Sequence, residues 1–145
     1  MNILVINGPN LNLLGKREIE IYGKETLEEL MMWLQTSPTA SNHSFKFHQS
    51  NHEGEIIDTI QDERHWANGL LINPAAFTHY SYAIRDAISA VDIPAVEIHL
   101  SNIREREDFR QISVISSVCI DQVLGMGKDG YLKGLDILIK YFENL

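Results

Sequence analysis

The sequence predicts an α/β fold: a parallel sheet with helices packed on both faces. Two observations carry this reading. First, three short apolar runs each end in a burst of polar, turn-forming residues. Asn2-Ile-Leu-Val-Ile-Asn7 runs into Gly8-Pro9-Asn10, Gly69-Leu-Leu-Ile-Asn73 into Pro74 and then Thr78-His79, and Pro94-Ala-Val-Glu-Ile98 into His99-Leu-Ser101-Asn102. Continuous apolar runs bounded in this way suit strands buried on both faces. Second, segments of helical period separate these runs, and strand–helix alternation leads to a three-layer parallel architecture.

The elements follow in order. After strand one comes a long loop, Gly8 to Glu25, holding Gly15, Lys16, Arg17 and Gly23. Loops beyond ~12–15 residues are usually functional or disordered. Thr26-Leu-Glu-Glu29 is a capping box for a helix reaching about Gln35, and a surface turn spans Ser37 to Asn42. Ser44 to Gln49 alternates Phe45 and Phe47 with polar residues, as an edge strand with one wet face would. A helix is expected from Glu53 to about His65, with Ile56, Ile57 and Ile60 inward. Strand three is Gly69–Asn73. The next helix, Ser81 to Val91, buries Ala83, Ile84, Ala87, Ile88 and Val91. Strand four is Ala95–Leu100, and the charged stretch Arg104-Glu-Arg-Glu-Asp108 reads as a short helix or ordered loop. Val118–Leu124 makes strand five, closed by Gly125-Met-Gly127, and Asp129 to Phe142 makes the last helix, with Leu135, Leu138, Ile139 and Phe142 on its inner stripe.

Composition narrows the function classes. At 145 residues the chain is expected to form one domain, residues 1–145, burying ~68–70% of its unfolded surface. Twelve Lys+Arg against twenty Asp+Glu give a formal charge of −8, which argues against nucleic acid or an anionic membrane as partner. The single cysteine, Cys119, leaves no internal disulfide and no cysteine-based zinc site. Met1 leads directly into strand one, without a basic segment and apolar core of a signal peptide. No apolar run approaches the ~20 residues of a membrane span. A soluble, cytoplasmic protein is expected.

In open α/β sheets the ligand crevice lies outside the carboxyl ends of the strands. The asparagine, histidine, serine and threonine residues at three strand ends therefore read as one polar site. Its chemistry is narrowed by what is missing. Gly8-Pro9-Asn10 followed by Gly15 fits neither dinucleotide nor Walker A spacing. Gly125-Met-Gly127 with Gly130 resembles the dinucleotide pattern, but falls in the last strand–helix unit, with no following strand to supply a ribose partner. Among the six histidines, only His79 and His99 sit where they could converge, and they have no carboxylate at ligand spacing, so acid/base work fits better than metal binding. No G-x-S-x-G elbow exists, and Cys119 falls inside a predicted apolar strand, as an inert thiol would. Arg106 and Arg110, four apart, would share one helical face, either as a solvated face paired with Glu105, Glu107 and Asp108 or as cations beside the polar strand ends. A general acid/base site built on Tyr, His and Arg remains.

Five motifs then carry a resemblance. Asn7-Gly-Pro-Asn-Leu-Asn-Leu-Leu-Gly-Lys-Arg-Glu18 with Ile21-Tyr22-Gly23, Gln49-Ser-Asn-His-Glu-Gly-Glu55, Asn73-Pro-Ala-Ala-Phe-Thr-His79, Arg85-Asp86-Ala87, and Glu97-Ile-His-Leu-Ser-Asn102 with Arg106-Glu-Asp-Phe-Arg110 occur in that order. Together they resemble type II 3-dehydroquinate dehydratase, from Asn2 to about Gly134. The resemblance implies a flavodoxin-like fold, with strand order 2-1-3-4-5, and a homododecamer of four trimers. It implies cofactor-free and metal-free dehydration of the small anion 3-dehydroquinate to 3-dehydroshikimate through an enolate, in the shikimate pathway. Tyr22 matches the family's base, Arg17 the lid arginine beside it, and His99 the proton donor to the leaving hydroxyl. Asn10, Asn73, His79, Leu100, Ser101 and Arg110 match substrate-contacting positions, and Asp86 one that reaches a neighbouring subunit's site. The chain departs from the family's commoner residues at Ala75-Ala76-Phe77, at Arg104, and at Gln111-Ile112. A non-catalytic paralogue binding a quinate-like acid on the same scaffold is the alternative.

The implied chemistry is physically coherent. Elimination of a β-hydroxyl from a ketone needs a base and an acid. A tyrosine, with an ordinary pKa of ~10, needs a nearby cation to act as base at neutral pH. A guanidinium at ~4–5 Å in an effective dielectric of ~20 supplies about 3–4 kcal/mol.

Overall fold

The computed structural model describes residues 1–16 and 18–145. Strands β1 (Asn2–Asn7), β2 (Ser44–Gln49), β3 (Gly69–Asn73), β4 (Ala95–His99) and β5 (Asp121–Leu124) pair in parallel, in the order β2-β1-β3-β4-β5. A one-turn helix, α1 (Ile19–Tyr22), precedes the longer helices α2 (Leu27–Gln35), α3 (Glu53–Asp62), α4 (Tyr82–Val91) and α5 (Asp129–Glu143). This is the flavodoxin-like α/β arrangement. Among the described residues no helix is long and apolar enough to cross a membrane.

Successive strand residues point to opposite faces, so each central strand feeds two cores. Ile3, Val5, Leu71, Val96 and Ile98 meet Leu30, Met31 and Leu34 of α2 and Tyr131, Leu135 and Leu138 of α5. Leu4, Ile6, Leu70, Ile72 and Ala95 meet Ile56 and Ile60 of α3 and Ile84, Ala87 and Ile88 of α4. Every residue of β3 and β4 is buried, as the unbroken apolar runs require, while β2 at the sheet edge has no fully buried residue and Lys46 is half-buried like its neighbours Phe45 and Phe47, so the expected alternation is incomplete. Each fully buried Leu or Ile is worth ~1.5–3 kcal/mol, which makes the two cores the main source of stability. The Thr26 hydroxyl accepts the Glu29 amide at 3.2 Å and starts α2 where the capping pattern placed it.

Several boundaries differ from the sequence reading. The last strand begins at Asp121 rather than Val118, because Ser116–Val118 form a 3₁₀ turn and Val118 and Cys119 pack onto the α3–α4 core instead of joining the sheet. Cys119 is therefore a loop residue, and burial pushes its thiol up to about 12, which keeps it protonated and unreactive. Helix α3 stops at Asp62, short of His65. Ala83 is exposed on α4, and strand β4 ends at His99. The segment after β4 is two 3₁₀ turns, Ile103–Glu105 and Asp108–Arg110, not one helix.

The exit of β1 is locked against β3. The Gly8 amide donates to the Asn73 carbonyl at 2.8 Å, and a Cβ on Gly8 would lie 2.5 Å from the Pro74 carbonyl oxygen. Only glycine allows this close approach of two backbones. Gly8→Ala is expected to lower stability by ~1–3 kcal/mol, the usual range for overpacking, measured as a lower urea midpoint with an unchanged slope.

Candidate active site

Chain direction across the sheet reverses between β1 and β3, and a crevice opens outside their carboxyl ends. A cavity of about 120 Å³ lies there, lined by Tyr22, His99, Asn73 and His79 together with Asn10, Leu100, Ser101, Arg106 and Arg110. The strand ends supply its floor. The β1 exit supplies Asn10, held in the left-handed region at φ 69° by donating its amide to Asn51 Oδ1 at 2.9 Å. Helix α1 supplies Tyr22 as one wall; Arg106, which ends the first 3₁₀ turn after β4, and Arg110, in the second, supply the cations.

His99 is buried and bonds through Nε2 to Glu97 Oε1 at 2.7 Å. Glu97 shows no exposed surface. It also accepts the hydroxyls of Thr78 and Ser113, the latter at 2.9 Å to each oxygen, and the Gln122 amide at 3.1 Å. Burial pushes the Glu97 carboxyl up, but the His99 hydrogen bond and charge and the two hydroxyl donors outweigh it and hold the group below the usual carboxylate range. An ionised Glu97 fixes Nε2 as the donor nitrogen, which leaves Nδ1 of His99 to exchange a proton with a ligand.

Tyr22 is half-buried, and its phenol oxygen accepts from Arg106 Nη1 at 2.8 Å, with the guanidinium carbon 5.7 Å from the ring centre. Arg110 bonds through Nε to Glu107 at 2.8 Å and lies 4.6 Å over the Phe109 ring. Among the described residues the bond uses Nε alone, so the terminal nitrogens can meet a ligand. His79 donates from Nδ1 to the Ile112 carbonyl at 2.8 Å, and burial together with the cationic neighbours His99 and Arg110 keeps its pKa below the ordinary histidine value. Leu100 and Ser101 line the cavity beside the arginines. This arrangement can bind a small carboxylate while pairing a phenol–guanidinium contact with an imidazole–carboxylate pair.

Known proteins share this chain's sequence and fold. The sequence profile of the family Dehydroquinase class II matches residues 1–139. A 3-dehydroquinate dehydratase of Acaryochloris marina is 51% identical over 142 residues, covering 98% of this chain and 95% of the relative. The chain belongs to the class II dehydroquinases. The crystal structure of type II dehydroquinase from Butyrivibrio crossotus superposes with a TM-score of 0.93 at 50% identity, covering 96% of this chain and 97% of that one. The structure of type II dehydroquinase from Propionibacterium acnes gives 0.90 at 37% identity, covering 96% of each chain.

Most of the positions expected for a class II dehydroquinase meet at the cavity. Tyr22, His99, Asn10, Asn73, His79, Leu100, Ser101 and Arg110 all line it. Arg17 lies outside the described residues. Asp86 is exposed on α4 and does not line the cavity. The arginines reach the site from separate turns rather than from one helical face. The sequence alone leaves Arg106 undecided and gives Glu97 no role. A signal for Glu97 is present all the same: it is a charged residue inside an otherwise apolar strand, two positions before His99 and so on the same face. Arg106 offers no comparable signal, since its contact with Tyr22 exists only in three dimensions. Ala75 holds φ at 50°. That conformation costs about 1–2 kcal/mol for a residue with a Cβ.

A larger cavity of about 510 Å³ lies between α2 and β2, lined by Leu14, Met31, Met32 and Phe47 among others. Neither Tyr22 nor His99 lines it.

Proposed function

We propose that the chain is a type II 3-dehydroquinate dehydratase that forms 3-dehydroshikimate with side chains alone, as a cytoplasmic enzyme of the shikimate pathway. The observation that carries this reading is the meeting of two opposed proton-transfer groups in one cavity: Tyr22 held by an arginine, and His99 held by buried Glu97. The Tyr22 oxygen, held by the Arg106 hydrogen bond, removes the proton alpha to the ketone. The resemblance assigns Arg17 as a second cation for this step. The resulting enolate is met by the amide donor of Asn10. His99, held by Glu97, gives a proton to the β-hydroxyl, which leaves as water. Tyr22 has then gained one proton and His99 has lost one, and exchange with solvent resets both. The Leu100 and Ser101 amides and Arg110 bind the substrate carboxylate, and His79 and Asn73 its hydroxyls.

Tyr80, Tyr82, Phe109 and Ile112 are exposed at 60%, 64%, 64% and 70%, at the start of α4 and beside the cavity mouth. Apolar exposure of this kind suits burial against a second copy, and supports the reading in which Asp86 completes a neighbouring site within a trimer, four of which form a dodecamer.

The test is direct. Purified protein mixed with 3-dehydroquinate should build the ultraviolet absorbance of a conjugated enone at the same rate with and without chelator. Activity abolished by chelator would remove the cofactor-free reading. Tight binding without turnover would favour the quinate-like binding paralogue.

A further inference from the structure

We propose that Tyr131 is a positioning residue for this reaction, orienting the Asn73 carboxamide from beneath the site; the inference rests on the dehydratase reading of the cavity. Three polar side chains from three elements meet under the floor: Asn7 at the end of β1, Asn73 at the end of β3, and Tyr131 in the first turn of α5, exposed at 1%, 3% and 0%. The Tyr131 hydroxyl donates to Asn7 Oδ1 and accepts from Asn73 Nδ2 at 3.3 Å. Burial pushes the Tyr131 phenol pKa far up, so the group stays a neutral hydroxyl with one proton to give.

That single proton makes the chain directional. Because Tyr131 donates to Asn7, it must accept from its other neighbour, and only the NH₂ end of Asn73 can satisfy it. The far end of the same carboxamide is fixed independently: Asn73 Oδ1 accepts the Ala75 amide at 3.1 Å. Held at both ends, Asn73 keeps one N–H and one oxygen lone pair for the cavity that it lines. Asn7 is anchored too, donating from Nδ2 to Met31 Sδ at 3.5 Å. A tyrosine placed only to fill the core would leave its hydroxyl a cost to be met, whereas this one joins the exits of the two strands that flank the crevice.

The variant Tyr131→Phe keeps the ring and removes the link. KM is expected to rise about tenfold with kcat changed by less than about twofold, as when substrate and transition state are weakened by the same amount. A purely structural role is separated by Leu138→Val, a core variant of the same helix, which should lower Tm without moving KM. In the Asn73→Ala background the further effect of Tyr131→Phe on KM should vanish, since the two act as one unit. The Asn73 side-chain amide signals in ¹⁵N NMR should shift and exchange faster with solvent in Tyr131→Phe. An unchanged KM, a full KM penalty persisting on Asn73→Ala, or unmoved Asn73 amide signals would overturn the inference. Wild-type protein that fails to turn over 3-dehydroquinate would instead defeat the dehydratase reading, while the NMR comparison still judges the positioning of Asn73.

Discussion

Tyr22→Phe is expected to lower kcat by ~10²–10⁴-fold while leaving KM within a few-fold of wild type. The substitution keeps the ring that forms the wall beside Arg106, and deletes only the oxygen that accepts from Nη1 at 2.8 Å. General-base assistance is worth about that range, and the carboxylate-binding groups at the strand ends are untouched. Arg106→Ala should give a related but distinct result, since it removes the guanidinium that donates to the tyrosine oxygen and leaves the tyrosine in place. Steady-state kinetics on both variants checks the assignment. A Tyr22→Phe enzyme within about tenfold of wild type would rule out the tyrosine as base, and a water held by Asn10 would take its place.

The second large effect is at Glu97, where one substitution should damage both rate and stability. Glu97 receives His99, Thr78, Ser113 and Gln122 while fully buried. Glu97→Gln replaces one acceptor oxygen with a donor, so at least one of these partners is left facing another donor. Breaking a buried charged pair in this way typically costs about 3–5 kcal/mol. The amide also no longer holds His99 in one tautomer, and kcat should fall by ~10²-fold or more. The pH dependence has a definite sign. Because the folded-state pKa of Glu97 is depressed, the unfolded chain binds its proton more readily as pH falls. The stabilisation is therefore complete above the ordinary value of 4.5, and is lost as pH falls from there through the folded-state pKa. Urea unfolding at a series of acidic pH values should show a steeper loss in wild type than in Glu97→Gln.

How much of the molecule is legible in the sequence depends on the range of the signal. The strands at Asn2–Asn7 and Gly69–Asn73 can be read to the residue because buried apolar runs and turn residues are local. The fifth strand reads too early because Val118-Cys119-Ile120 is as apolar as a strand, and only the packing of Val118 and Cys119 onto the α3–α4 core shows otherwise. Helix α1 has four residues, too few for a period. Tyr131 escapes the inner stripe of α5 although it lies one turn before Leu135, because a tyrosine reads as amphipathic until its hydroxyl is seen to be bonded. At the site, the residue types at the strand ends are legible, and the resemblance supplies their roles. The supporting layer is not. Thr78, Ser113 and Gln122 come from three separate segments, and nothing local announces that they converge on Glu97.

The central claim is that proton removal and hydroxyl departure are divided between Tyr22 and His99. The most direct measurement follows 3-dehydroquinate in D₂O by proton NMR with the variants His99→Ala and Tyr22→Phe. The account predicts that His99→Ala still exchanges the alpha proton for deuterium while forming little enone, and that Tyr22→Phe does neither. Exchange retained by Tyr22→Phe and lost in His99→Ala would contradict it.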